Sequence, residues 1–581
     1  MIDLNFKKIA KGCVAGILLT SQAIFAQTPT PDDQLRRIEE RRSQLEDTIA
    51  GQRPQGRQTQ SETGQKPQVY VKEGLCFPIE HISFVPSDQD ADGPDFNWSL
   101  EAANISADNQ YDPALGRCLG IQGINLAVTR IQNAIVESGF ITTRVFLGPQ
   151  DLKSGELKLT LVRGKLRDVR FADPNALVSA ANTIPRRKDG MLFLRDIEQG
   201  LENLKRVPTA EADFEIVPSP GPDARAGDSD LVIAWEQKRP FRFNIGLDNA
   251  GSETTGKYQG SFTMSWDNPT SLSDLFYVTF DHDLGGGLDD ARGTEGISAH
   301  YSVPYGYWAF ALDVGSTEYF QTVAGANADI IYSGSSDTLT FKASNVLHRT
   351  DTRKLEWSLS LWARSSKNYI DGTEVQVQRR RTAGWELGFE GQDFIKRAVL
   401  NYGVSLRKGT GASNAIAVDE AIFGAGSNRP EILKFNVDLN SPVKIFGQEF
   451  AYSGSLKGQW ASGSLISQDR FSIGSRYTVR GFTGERTLSG ERGWTFRNDF
   501  SRQLGKSSHR AYLGLDIGSV SGPGTAGLAG TTLAGAALGL KGGFKSIKGL
   551  SYDVSVALPL KRPQGFDTGD PVINFNTNWA F

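Results

Sequence analysis

Residues 355–361 read Leu-Glu-Trp-Ser-Leu-Ser-Leu, so that Leu355, Trp357, Leu359 and Leu361 alternate with Glu356, Ser358 and Ser360. A period of two puts the apolar side chains on one face of a strand and the polar ones on the other. The pattern recurs on both sides of this stretch. Trp308, Phe310, Leu312 and Val314 alternate with Ala309, Ala311 and Asp313, and Phe276, Val278 and Phe280 share one parity. Leu433, Phe435, Val437 and Leu439, then Tyr552, Val554, Val556 and Leu558, repeat it further on.

Between these runs lie short segments of Gly, Asn, Asp and Ser, the residues of tight turns. One face is apolar and rich in aromatics, while the other is small, polar or charged. A soluble sandwich hides its apolar face and exposes Lys and Glu. A membrane barrel with a wet lumen presents aromatics outward, and that reading fits residues 241–581. At about ten residues per tilted strand plus connections, the segment accommodates roughly 14 to 18 strands. Its last run places Ile573, Phe575, Thr577, Trp579 and the terminal Phe581 on one face. Phe575, Trp579 and Phe581 make it an aromatic closing strand of the kind that barrel-assembly machinery reads.

Composition agrees. The 581 residues include 63 glycines and 10% aromatics but three Met and three Cys, a profile of short strands and turns. The net charge of −3 gives no argument for nucleic-acid binding. After the first 30 residues no apolar run is long enough for a helical membrane span.

Residues 1–26 read as a secretory signal: Lys7, Lys8 and Lys11, an apolar run from Gly12 to Leu19, and small residues ending at Ala26, with cleavage expected before Gln27. Cys13 lies inside that segment. The mature chain keeps Cys76 and Cys118, an even pair in an oxidising compartment, which predicts one disulfide. The five His have no metal-binding spacing, and no metal is expected.

The mature chain divides further. Within 27–49, Asp32 can cap a helix whose Leu35, Ile38, Leu45 and Ile49 recur at helical spacing under a surface of Arg and Glu. Such a helix suits water or a polar channel. Residues 50–68, rich in Gln, Gly, Arg and Pro, read as a linker. Two α+β units follow, over 69–164 and 165–240. The first has strands at Phe77–Phe84, Ile141–Leu147 and Leu157–Val162 around a helix marked by Ile124, Val128, Ile131 and Ile135. The second has strands at Leu166–Phe171, Ala212–Val217 and Leu231–Trp235 around Ile197, Leu201 and Leu204. Residues 86–113 read as an irregular acidic insertion in the first unit.

Four stretches, in order, carry a resemblance. They are Cys76-Phe77-Pro78-Ile79 with Cys118-Leu119-Gly120 and Gly139 to Val145; Gly246-Leu247-Asp248-Asn249 with Thr255-Gly256, Tyr258-Gln259-Gly260 and Asp267-Asn268-Pro269; Val479-Arg480-Gly481-Phe482; and Gly514-Leu515-Asp516-Ile517-Gly518. Together they resemble the two-partner secretion transporter (TpsB) family, outer-membrane exporters of haemolysins and filamentous adhesins. The resemblance implies a mostly β fold: two periplasmic polypeptide-transport-associated (POTRA) domains, then a 16-stranded transmembrane barrel. It implies an N-terminal helix that plugs the lumen, at 27–49. It also implies a long loop carrying Val479, Arg480, Gly481 and Phe482 that folds into the barrel, where Arg480 reaches the strand of Gly514, Asp516 and Gly518. Parity agrees with the last point, since Leu513, Leu515 and Ile517 should face lipid and Asp516 the lumen. The insertion at 86–113 departs from the family layout.

The function implied is passage of one unfolded secreted client, such as a large β-helical adhesin or haemolysin, across the bacterial outer membrane, without cofactor or enzymatic step. No Gly-Lys-Ser/Thr phosphate loop is present, and no His sits in a local nucleophile–base set with Ser and Asp. The expected partners are the client, outer-membrane lipid and the barrel-assembly machinery, and no nucleic acid. An insertase of other barrels shares the same modules, and a passive porin is a further alternative that leaves the two α+β units without a task.

Overall fold

The computed structural model describes residues 34–42, 69–86, 94–286, 291–324, 328–418, 421 and 426–581. The expected signal 1–26, the linker 50–68, and Asp32, Leu45 and Ile49 of the helix lie outside the described residues.

Among the described residues, sixteen long antiparallel strands, from Phe241–Asp248 to Val572–Ala580, close into a barrel. The two-residue strand Thr373–Glu374 extends one hairpin. Strands near the middle of the chain reach well beyond the membrane thickness, as in the 21-residue Asp329–Arg349. Parity sorts the faces as the alternation requires. In the Arg510–Ser521 strand, Leu513 and Leu515 are exposed on the outside while Tyr512, Gly514 and Asp516 are buried within. The last strand meets the first over Asn576↔Asp248 to Ala580↔Asn244. Phe581 then exchanges two 2.9 Å backbone hydrogen bonds with Phe243, and their rings lie 5.7 Å apart. The aromatic terminus thus closes the cylinder.

Two α+β modules precede the barrel. In the first, the helix Ile121–Glu137 buries Ile124, Ala127, Ile131 and Ile135 against Leu157, Leu159 and Leu161 of a three-stranded sheet. The expected strand Phe77–Phe84 is two strands. Phe77–Ile79 pairs antiparallel with Arg117–Leu119, and His81–Pro86 pairs parallel with Glu156–Val162. The change of partner breaks it at Glu80. The expected strand Ile141–Leu147 begins only at Arg144, because Gly139 turns the chain at φ +99° and Thr143 N–H closes a turn onto the Phe140 carbonyl.

The acidic segment 86–113 is more ordered than its sequence suggests. Residues 87–93 lie outside the described residues, but Asn97–Asn104 form a 3-10 helix that packs Phe96, Leu100 and Ala103 into the core. Asp112 accepts 2.8 and 3.1 Å hydrogen bonds from Arg130 Nη2 and the Tyr70 N–H. Partial burial alone would raise the Asp112 carboxyl, but these bonds and the charges of Arg130 and Arg117 hold it below the usual carboxylate range. The disulfide Cys76–Cys118 ties residue 76 to the strand just before the helix. Beside it, Glu73 accepts hydrogen bonds from the N–H groups of Gly120, Gln122 and Gly123 and so caps that helix.

The second module has a sheet in the order Lys165–Phe171, Asp228–Gln237, Ala210–Pro218, covered by the helix Leu194–Lys205. It is bolted to the barrel. Asp267, held within the barrel by a fork of 2.9 and 3.0 Å bonds from Arg242 of the first strand, accepts a 2.8 Å bond from the module's Thr209 hydroxyl. Asn182 donates to the carbonyls of Leu272 and Pro304, and Asn268 to that of Leu177. Glu202 of the helix binds Arg349 at 2.7 Å and Lys354 at 2.6 Å.

Candidate functional site

The barrel lumen is occupied from two sides. Residues 471–490 form a small folded insert between two barrel strands, with strands Phe471–Ile473 and Leu488–Gly490 paired to each other. Val479, Arg480, Gly481 and Phe482 lie at its tip, and all four are buried. Phe482 and Val479 pack with Ile473, Leu488, Val520, Leu533 and Phe566 into an apolar cluster inside an otherwise polar lumen. The Phe482 and Phe566 rings meet edge to face at 5.6 Å.

Arg480 is the polar half of this anchor. Its Nε and Nη2 each lie 2.6 Å from Asp516, on Oδ2 and Oδ1 respectively, and its backbone N–H donates to the same Oδ2 at 2.9 Å. Nη2 also stands 2.7 Å from Asp499 on the neighbouring strand. Two parallel bonds to one carboxylate fix direction as well as distance.

Glycine makes room for this. A Cβ on Gly514 would stand 2.4 Å from Arg480 Nη2, and one on Gly518 would touch Val479 and Thr495. Gly481 holds φ +98° with its own Cβ site 2.5 Å from the Leu558 carbonyl, so the tip turns where only glycine fits. The four loop residues and the Gly514, Asp516, Gly518 wall therefore meet as one site.

The helix over 34–42 fills the other side. Arg41 donates to Asp248 at 3.1 Å and to Asp281 at 3.0 Å, on the first and third barrel strands. Arg37 donates to the carbonyls of Ala250 and Gly251 near the first strand and of Thr483 and Gly484 in the loop. Arg36 bonds the Ser467 carbonyl and the Thr487 hydroxyl, and Arg42 the Thr338 hydroxyl. Glu39 lies 3.6 Å from Arg364. Leu35 is fully buried and Ile38 half-buried. The helix is held by arginines reaching in several directions, with little apolar contact.

The sequence left the surface of Arg and Glu open to water or a polar channel, and it did not name the partners of the individual arginines. A signal existed in Asp248, which stands in the quoted Gly246-Leu247-Asp248-Asn249. Asn249 of that stretch accepts from Arg476 of the loop and from the Phe575 N–H, so it joins loop, first strand and last strand.

Polar space remains. A cavity of about 320 Å³ between helix and wall is lined by Glu39, Arg364, Arg407, Lys434 and Asp469 among others, and one of about 670 Å³ lies along Glu386, Glu390, Lys434 and Lys457. No group of His, Cys, Asp and Glu among the described residues could hold a metal.

A family model for haemolysin secretion/activation proteins of the ShlB/FhaC/HecB type matches residues 227–542. A ShlB-type POTRA model matches 102–164, and a second POTRA model matches 165–218. The chain is 33% identical over 591 aligned residues to the outer membrane transporter CdiB-2 of Burkholderia pseudomallei strain 1026b, covering 97% of this chain and 98% of that protein. It is 24% identical to the hemolysin transporter protein HpmB of Proteus mirabilis, over 71% of this chain and 72% of that one. The solved structure of CdiB from Acinetobacter baumannii superposes with a TM-score of 0.79 at 25% identity, covering 95% of this chain and 99% of that one. The chain belongs to the haemolysin secretion/activation family.

Proposed function

We propose that this member of the haemolysin secretion/activation family moves an unfolded secreted partner protein from the periplasm through its own barrel to the cell surface. It is an outer-membrane transporter of the two-partner secretion type, with its POTRA domains on the periplasmic side. The observation that carries the transport reading is how the lumen is filled. Helix 34–42 is held by arginine side chains that bond carboxylates, hydroxyls and carbonyls, groups that water can satisfy equally well. A plug held this way exchanges its bonds for hydration when it leaves, while the loop, anchored by an apolar cluster and Arg480, stays. The vacated lumen is polar and solvates the peptide groups of an extended client.

The client is of the class of large β-helical adhesins, haemolysins or related toxins, and the transporter works without enzymatic step or cofactor. Its other partners are outer-membrane lipid and the machinery that assembles barrels. The bolted joint between the second POTRA domain and the barrel supports client delivery to the lumen mouth. Expression with a candidate secreted partner protein tests the reading. Wild-type chain should release that protein to the medium, and deletion of 69–237 should abolish release. Unchanged release by the deletion would overturn it.

A further inference from the structure

The edge of the first POTRA sheet carries a feature that transport by itself does not require. Among the described residues, strand Arg144–Leu147 is an edge strand, paired only with Glu156–Val162. Along an edge strand, alternate residues turn their N–H and C=O outward, an invitation to another strand. Here the outward groups are already met by a side chain. Gln132, on the helix Ile121–Glu137, donates from Nε2 to the Thr143 carbonyl at 2.9 Å and accepts at Oε1 from the Val145 N–H at 2.9 Å.

One carboxamide thus donates to residue i−1 and accepts from residue i+1, around Arg144. That is how a residue of an added parallel strand would bind. Arg144 Nη1 adds a 3.1 Å bond to the same Thr143 carbonyl. Where the edge strand ends, Gln150 repeats the device in antiparallel form. Its Nε2 donates to the Lys158 carbonyl and its Oε1 accepts from the Lys158 N–H, both at 2.8 Å. Two glutamine amides therefore stand where peptide units would stand. Beyond them the strand offers Phe146 and Leu147, large apolar side chains that are 52% and 45% exposed.

We propose that the Arg144–Leu147 edge accepts an extended segment of the secreted client, and that Gln132 is a built-in competitor which that segment must displace. The proposal rests on the transport reading for the identity of its ligand. A carboxamide and a peptide group make nearly equal hydrogen bonds, so the exchange at Thr143 and Val145 is close to neutral. Net binding then comes from what Gln132 lacks: further ladder bonds along the edge and side chains against Phe146 and Leu147. Short or weakly apolar strands gain too little to displace it, and the edge is kept from pairing with periplasmic strands at large.

The test uses the full-length transporter in detergent micelles, with a synthetic eight-residue Thr-Val repeat as probe. Gln132→Leu keeps the size of the side chain and removes both bonds, and Gln132→Glu keeps the acceptor and loses the donor. The leucine variant should bind the probe at least about tenfold more tightly than wild type, with the glutamate variant between them. N-methylation of alternate probe residues should erase the gain. The Val145 amide should exchange hydrogen about tenfold faster in Gln132→Leu and slow again when probe is added. Equal binding by wild type and Gln132→Leu, binding by neither, or a gain that survives N-methylation would each overturn the proposal. None of these readouts involves secretion, so failure of the transport reading would show separately in the release assay.

Discussion

Gly535 lies so close to Arg480 that a Cβ added to it would stand 1.7 Å from the Arg480 carbonyl oxygen. The backbone of the loop tip rests on a wall stripped of side chains, across the strand from Asp516, whose register partner is Gly535. Gly535→Ala must push the loop off its seat. Overpacking of this kind costs about 1–3 kcal/mol, an equilibrium factor of about five at the lower end and of about a hundred or more at the upper. The variant should enter the outer membrane in normal amount while release of the partner falls about tenfold. Proteolysis of the loop in whole cells should rise with it.

The carboxylate of Asp516 receives three hydrogen bonds from Arg480, one of them from the backbone, whereas Asp499 meets only its guanidinium. Asp516→Ala should therefore impair secretion more than Asp499→Ala, with Arg480→Ala between or equal to the first. Removing one member of a buried pair strands the other, at a cost of about 3–5 kcal/mol. The Arg480→Ala, Asp516→Ala double variant should fall short of the sum of the singles by about 1–3 kcal/mol in the loop's protease protection. Additive effects would mean that the two residues do not act as a pair.

How much of this was legible in the chain depends on what each feature asks of its residues. The barrel was legible because lipid outside and water inside impose a period of two, visible at Leu355–Leu361 without any partner. Asp516 facing the lumen followed from the same parity. The break at Glu80 was not legible, because Phe77–Phe84 carries no Gly, Asn or Asp to mark a turn there and the change of partner lies in Arg117–Leu119 and Glu156–Val162. In the acidic insertion, Phe96, Leu100 and Ala103 carried a helical spacing that the surrounding Asp and Asn concealed. The partners of Arg36, Arg37 and Arg41 were not legible, because a charged helix face looks the same in bulk water as in a polar lumen. Gln132 gave no signal at all, since an amide that imitates a strand differs in no way from a solvated glutamine until its partners are in place.

Removal of the Cys76–Cys118 bond should loosen the first POTRA domain without touching the barrel. The bridge spans a sequence separation of 42, for which the chain-entropy account gives about 4 kcal/mol. The paired Cys76→Ser, Cys118→Ser variant should lose the first domain's melting transition to a lower temperature, while heat-modifiable migration of the barrel is unchanged. Thiol labelling of denatured, unreduced wild type should find no free cysteine in the mature chain.

Arg41 of the lumenal helix neutralises two carboxylates of the barrel wall, Asp248 and Asp281. Arg41→Ala leaves those acids facing each other and removes the helix's tie to the first and third barrel strands. Single-channel conductance in planar bilayers should rise toward that of a chain lacking 34–42. Gln34→Ala, which gives up a 3.2 Å bond to the Thr254 hydroxyl, should raise it less.

The last prediction concerns pH at the joint between the second POTRA domain and the barrel. Asp196, in the helix Leu194–Lys205, is buried, and the Tyr307 hydroxyl of a barrel turn donates to its Oδ1 at 2.6 Å. Burial raises the Asp196 carboxyl and the charge of Asp189 adds to this, while the Tyr307 bond and Arg187 oppose it; the net direction is up. An acid whose pKa is raised on folding favours the folded state when protonated. Its contribution is complete below the unfolded carboxylate value and is lost as pH rises through the raised one. The joint should therefore be tighter in mild acid than at neutral pH. Asp196→Asn keeps the acceptor for Tyr307 and never ionises, so it should hold the joint at neutral pH as firmly as wild type does in acid. Tyr307→Phe removes the bond that favours the charged form, so the pH at which the joint loosens should move upward. Hydrogen exchange of the Leu194–Lys205 amides, followed from pH 4 to 8, reads all three. A wild-type profile that is flat, or that loosens toward acid, would contradict the assignment, and a pH response left intact in Asp196→Asn would place its origin in another group.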